Sequence, residues 1–95
     1  MPKKTFLQLY IIPKEGVSRE NIEATLNKGL DWIRYAPNNY VLFTSVTIKA
    51  WMGRLREHVE DGGTLFICKL DVTNRNGLMI NEFWEWLQKN EARIE

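Results

Sequence analysis

The residues able to carry chemistry are few, and none recurs at a spacing that chemistry uses. His58 is the only histidine and Cys68 the only cysteine. A metal site built on His58 needs further imidazole or thiolate ligands at short, defined spacing, and the chain offers none. Cys68 has no histidine close in sequence and stands between Phe66 and Leu70. It reads as a small core hydrophobe and not as a nucleophile. Asp31 opens a predicted strand, Asp61 closes a predicted helix and Asp71 closes a predicted strand, so no acid–base pair of carboxylates follows from the sequence. Gly62-Gly63 come after a helix pattern, whereas a phosphate cradle precedes one. The expectation is a protein with no catalytic residues, no cofactor and no metal, and not an enzyme.

Recognition is then the chemistry to look for, and the elements decide where it sits. Phe6–Ile12 is an apolar run interrupted by Gln8 and closed by Pro13, the mark of an inner strand. Leu7, Leu9 and Ile11 share one face of it and Gln8, Tyr10 and Ile12 the other. Ser18 offers an N-cap and Glu20 a first-turn acid to a helix whose stripe is Ile22, Leu26 and Leu30, with Gly29 at its end. The stretch Asp31–Ser45 predicts two strands, Trp32–Tyr35 and Tyr40–Thr44, joined by a Pro37-Asn38-Asn39 turn. Ser45 caps a second helix with Ile48, Trp51, Met52, Leu55 and Val59 on its apolar face, and Asp61-Gly62-Gly63 stops it. Leu65–Leu70 is a fourth strand. After a loop over Thr73–Gly77, a last helix carries Ile80, Phe83, Trp84 and Leu87, and the tail after Asn90 is expected to fray.

The order β-α-β-β-α-β-α predicts one α+β domain over residues 1–95, a ferredoxin-like split βαβ with an antiparallel sheet and helices on one face. A chain of 95 residues, 44% hydrophobic and 26% charged, is ordinary for a single domain. Its net charge of +1 gives no overall field toward nucleic acid or membrane, although Lys3, Lys4 and Lys14 cluster near the start. One cysteine forms no intramolecular disulfide, and the apolar run after Lys4 is too short for a membrane span or a leader, so a cytoplasmic location away from membranes is expected.

The uncovered sheet face matters most for function. Side-chain parity places Gln8, Tyr10, Ile12, Trp32, Arg34, Tyr40, Leu42, Leu65, Ile67 and Lys69 there, and Ile33, Val41 and Phe43 toward the helices. A face this apolar calls for cover by the last helix, a second subunit or another macromolecule. Tyr10, Trp32, Arg34, Tyr40 and Lys69 are the candidate interface residues.

Gly29-Leu30-Asp31-Trp32 entering the hairpin, Asn38-Asn39-Tyr40 opening the next strand, Ser45 before Ile48, Met52 and Leu55, and the closing Trp86-Leu87 resemble the SinR-like proteins. These are ferredoxin-like relatives of the CRISPR-associated adaptation subunit and of virulence-associated D-type toxins. The resemblance implies a homodimeric interaction protein or, where the superfamily acts on nucleic acid, a metal-dependent nuclease or toxin. In that family the first strand ends in Tyr-Asp, and the aspartate is the metal ligand. Here Tyr10 is followed by Ile11, which has no hard oxygen to offer Mg²⁺. Leu9-Tyr10-Ile11-Ile12 and Tyr40-Val41-Leu42-Phe43 also resemble the two strand signatures of the RNA-recognition motif. That second resemblance implies stacking of bases on Tyr10 and Tyr40.

Overall fold

Breakers and caps in the sequence end or start elements where their chemistry requires. The computed structural model describes residues 3–94. It holds β1 (Thr5–Ile12), α1 (Arg19–Leu26), β2 (Asp31–Ala36), β3 (Asn39–Thr44), α2 (Ile48–Val59), β4 (Thr64–Leu70) and α3 (Asn81–Glu91). Ser18 caps α1 reciprocally with Asn21: its hydroxyl accepts from the Asn21 amide, and the Asn21 side chain accepts from the Ser18 amide. The hairpin turn places Asn38 at φ 63°, a conformation asparagine tolerates. Asp61 and Gly62 turn the chain out of α2 with φ of 64° and 132°. Gly63 answers a different need. A Cβ there would lie 2.6 Å from the Ile12 carbonyl oxygen and 2.8 Å from the Val59 Cα, so α2 and β1 meet across a bare backbone.

Three local expectations are corrected. The α2 N-cap is Thr47, whose hydroxyl accepts from the Ala50 amide, and not Ser45. The chain needs the two extra residues because Thr44 is committed inside: its buried hydroxyl accepts from the Val46 amide at 3.0 Å and from the Trp51 indole at 2.9 Å. Helix α1 ends at Leu26, so Leu30 leaves the helical stripe and is 38% exposed. Cys68 is exposed and not part of the core.

The strands form one antiparallel sheet in the order β2-β3-β1-β4. This is the ferredoxin-like split βαβ arrangement. Helices α1 and α2 cover one face over Leu7, Leu9, Ile11, Tyr40 and Leu42, joined by Ile22, Leu26, Trp51, Leu55 and Val59. Helix α3 lies on the other face, where Trp86 and Leu87 pack with Phe6, Val41 and Phe43. The sheet is therefore covered on both sides at its β3 side, and helices are not confined to one face.

Candidate interaction surface

The position of the hairpin in the sheet decides which side chains any partner can reach. Antiparallel pairing sets Leu9 opposite Tyr40 and Leu7 opposite Leu42, so Tyr40 and Leu42 share the face of Leu7 and Leu9. The parity expected for the hairpin is thus reversed. Trp32 and Tyr40 pack into the core beneath α1 and α2. Arg34, opposite Tyr40, points the same way and approaches Glu23 of α1. Val41, Phe43 and Ile33 turn instead toward α3. In β4, Leu65 and Ile67 pack under the helices, and Lys69 lies opposite Leu7 on that side. Of the five candidate interface residues, only Tyr10 stands on the face that α1 and α2 leave open.

Tyr40 resolves the reversal chemically. It is 1% exposed, and its hydroxyl donates to Glu23 Oε2 at 2.9 Å. Burial, then the neighbouring Glu23 carboxylate, push the phenol well above its usual range. The ring meets Trp32 edge-on at 5.6 Å, and the Trp32 indole donates to Asn27 Oδ1 at 2.7 Å. Both aromatics have polar ends that reach helix α1, so they join strand to helix. Tyr40 presents no ring for a base to stack on.

On the opposite face, α3 is pinned at its C-terminal end. Asn90 is wholly buried, and its Nδ2 donates to Asp31 Oδ2 at 3.0 Å and to the Trp86 carbonyl at 3.1 Å. Arg93 donates to Asn90 Oδ1, and Lys89 lies 3.3 Å from the same Asp31 oxygen. Burial of Asp31 opposes its ionisation, but Asn90, the Trp86 indole, the Trp32 amide and Lys89 outweigh it and hold the carboxyl below its ordinary value. The indole N–H of Trp86 reaches no acceptor in good hydrogen-bond geometry, so its help to Asp31 is electrostatic. Composition alone gave no reason to couple Asn90 to Asp31. The signal was an asparagine one helical turn after Trp86, on the stripe that α3 buries.

Further along that face the cover stops. Gln8, Asn39 and Tyr35 close a polar strip: Tyr35 donates to Gln8 Oε1 at 2.7 Å, and Gln8 donates to Asn39 Oδ1 at 3.1 Å. The strip borders a cleft of about 270 Å³ beside Phe83 and Trp84. Beyond it lie Tyr10, Ile12, Phe66 and Cys68, with Tyr10 directly opposite Phe66. Phe66 is 60% exposed, and Tyr10 and Ile12 are each 37% exposed. The patch borders β4, which pairs only with β1 and keeps its register throughout without a proline. The other edge strand, β2, is interrupted by a register shift between Arg34 and Ala36 and is followed by Pro37. A broken, proline-flanked edge resists further pairing, and a straight one invites it.

Among the described residues, no group of three His, Cys, Asp or Glu side chains stands close enough to hold a metal, and no helix is long and apolar enough to cross a membrane. His58 is half-buried, and its Nε2 lies 2.9 Å from the Thr25 hydroxyl, tying α2 to α1. Comparison with protein-family models, with curated proteins and with solved structures found no match.

Proposed function

We propose that this is a small, non-enzymatic protein-interaction domain of the SinR-like type that works as a homodimer. The observation that carries the proposal is the Tyr10–Ile12–Phe66 patch beside the unprotected edge of β4. A second copy laid antiparallel along β4 would continue the sheet across a two-fold axis and set two such patches side by side on one face. The contact would be isologous, the commonest form of dimer. Ile11, where the family's nuclease members carry an acid, is 1% exposed in the core under α1 and α2, which supports the non-enzymatic reading.

Light scattering at increasing concentration tests the proposal. The expected mass is twice the 11.2 kDa of the chain, and Phe66→Asp should return it to that of a monomer with an unchanged circular dichroism spectrum. A wild-type monomer at about 1 mM would refute it, a Kd above that being too weak for a working dimer.

A further inference from the structure

The end of the sheet where β1 begins and β4 finishes gathers lysines from distant parts of the chain. Lys3 and Lys4 lead into β1 and Lys69 lies near the end of β4, and all three line one open groove of about 660 Å³. The topology adds Lys28, just before β2, and Lys49, in the first turn of α2, to the same end. Glu15, Glu57, Glu60 and Asp61 belong to the opposite end together with Lys14, Arg19 and Arg56, while Asp31, Asp71 and Glu91 accompany the lysines, so the net charge of +1 is divided unevenly along the strands. None of the ion pairs among the described residues uses Lys3, Lys4 or Lys69. Lys4 donates to the Arg93 carbonyl at 3.0 Å. The acid on the groove wall, Asp71, accepts from the Thr73 amide and hydroxyl, and these bonds with the nearby Lys69 charge hold its carboxyl below its ordinary value, so a docking segment competes with it for Lys69.

The groove is not merely basic. Phe6, Leu70, Val72 and Ile94 supply apolar walls, with Thr5, Asp71 and Thr73 between them. We propose that it docks an acidic linear segment of a partner protein, with aliphatic side chains spaced between its carboxylates. Lysine ammonium groups meet carboxylates as point charges, and the apolar walls between them suit the aliphatic side chains of a polypeptide, which a bare phosphate chain lacks. Nucleic-acid strands are held by stacking on open aromatic faces. The aromatic ring here, Phe6, is 2% exposed and offers none. An aliphatic anchor suits the Leu70, Val72 and Ile94 walls, and the groove's volume is ordinary for a ligand site. The groove shares Lys69 and Leu70 with the β4 edge proposed for dimerisation, so peptide binding and assembly mass are measured as separate readouts.

The test is fluorescence anisotropy on the full chain with a labelled peptide of about eight residues that alternates glutamate or aspartate with leucine. Saturable binding is expected, weaker in high salt. The Lys3→Glu/Lys4→Glu/Lys69→Glu variant should bind about tenfold more weakly, the product of three exposed ion pairs worth about twofold each. Because these side chains are exposed, the variant should keep its circular dichroism spectrum. Ile94→Ser, which alters no charge, should also weaken binding, as should exchanging the leucines of the peptide for serines. Absence of saturable binding at about 1 mM protein would overturn the proposal, as would equal affinity for the serine peptide. Tighter binding of a single-stranded oligonucleotide of equal charge would reassign the groove to a polyanion. A fall in assembly mass on charge reversal would reassign it to a second copy of the chain.

Discussion

Replacing Asn90 by aspartate should make stability fall as pH rises, the reverse of what the wild-type chain does in acid. In the native protein the Asp31 carboxyl is held below its unfolded value of 3.8. A depressed carboxyl stabilises the fold above the unfolded pKa, and that contribution is lost as pH falls through the folded value. Asn90→Asp conserves shape but sets a second carboxyl about 3 Å from Asp31 Oδ2, in a position that is wholly buried. Burial and the like charge raise the pKa of the introduced group and outweigh Arg93, which donates to Asn90 Oδ1 and pulls the other way. Its proton is favoured in the folded state, so its penalty is absent at low pH. The penalty grows from about pH 4 and levels off once the folded-state value is passed. A rise of about 2–3 units corresponds to about 3–4 kcal/mol at pH 7. That is a large part of the 5–15 kcal/mol typical of a domain, yet it leaves the variant folded. Urea unfolding followed by circular dichroism at pH 4 and pH 7 measures it, since Lys89 and Arg93 accompany the pair at both pH values. The exchange Asp31→Asn/Asn90→Asp restores one carboxylate and one amide and should recover most of the loss. A deficit equal at both pH values, with no recovery in the double variant, would refute the placement of Asn90 against Asp31.

Three further outcomes follow from other sites in the structure. Gly53→Ala should stabilise the protein by about 0.5–1 kcal/mol, because the position is interior to α2 and its added methyl meets no atom within 4 Å, whereas Gly63→Ala should destabilise it by about 1–3 kcal/mol against the β1 and α2 backbone. Equilibrium urea midpoints on both variants would show opposite signs. Tyr40→Phe should cost about 0.5–1.5 kcal/mol through the lost bond to Glu23 while leaving the mass of the assembly unchanged, checked by unfolding and light scattering in parallel.

Element order was legible because the local signals agree with the fold. Ser18 is an N-cap, Pro37-Asn38 is a turn with Asn39 already opening β3, Asp61-Gly62-Gly63 is a stop, and Leu7, Leu9 and Ile11 do lie against α1 and α2. The hairpin faces were not legible. Every residue of β3 from Tyr40 to Thr44 is buried, since α1 and α2 lie on one side and α3 on the other. A strand covered on both faces carries no alternation to read, and composition then misleads. Tyr40 and Arg34 look fit for an open face, but both send polar ends back to Glu23. Cys68 sits between Phe66 and Leu70 and reads as core, yet it belongs to the part of the face that α3 does not reach.

By itself, then, the amino-acid sequence determined the number and order of elements, the cap of α1, the main turns, and the face of the first strand, because each depends on residues within a turn or two of one another, whereas the α2 cap moved to Thr47 once Thr44 was committed to the core. It also determined which acids, thiols and imidazoles were on hand, and that none was arranged in a local motif. The tertiary structure alone decided the register of β3 on β1, and a slip of one residue there exchanges every side chain between faces. It decided where α3 comes to rest, and so which half of its face stays covered and which leaves Tyr10 and Phe66 in the open. It also brought Lys3 and Lys4 beside Lys69, an encounter between the two antiparallel strands that no spacing along the chain encodes.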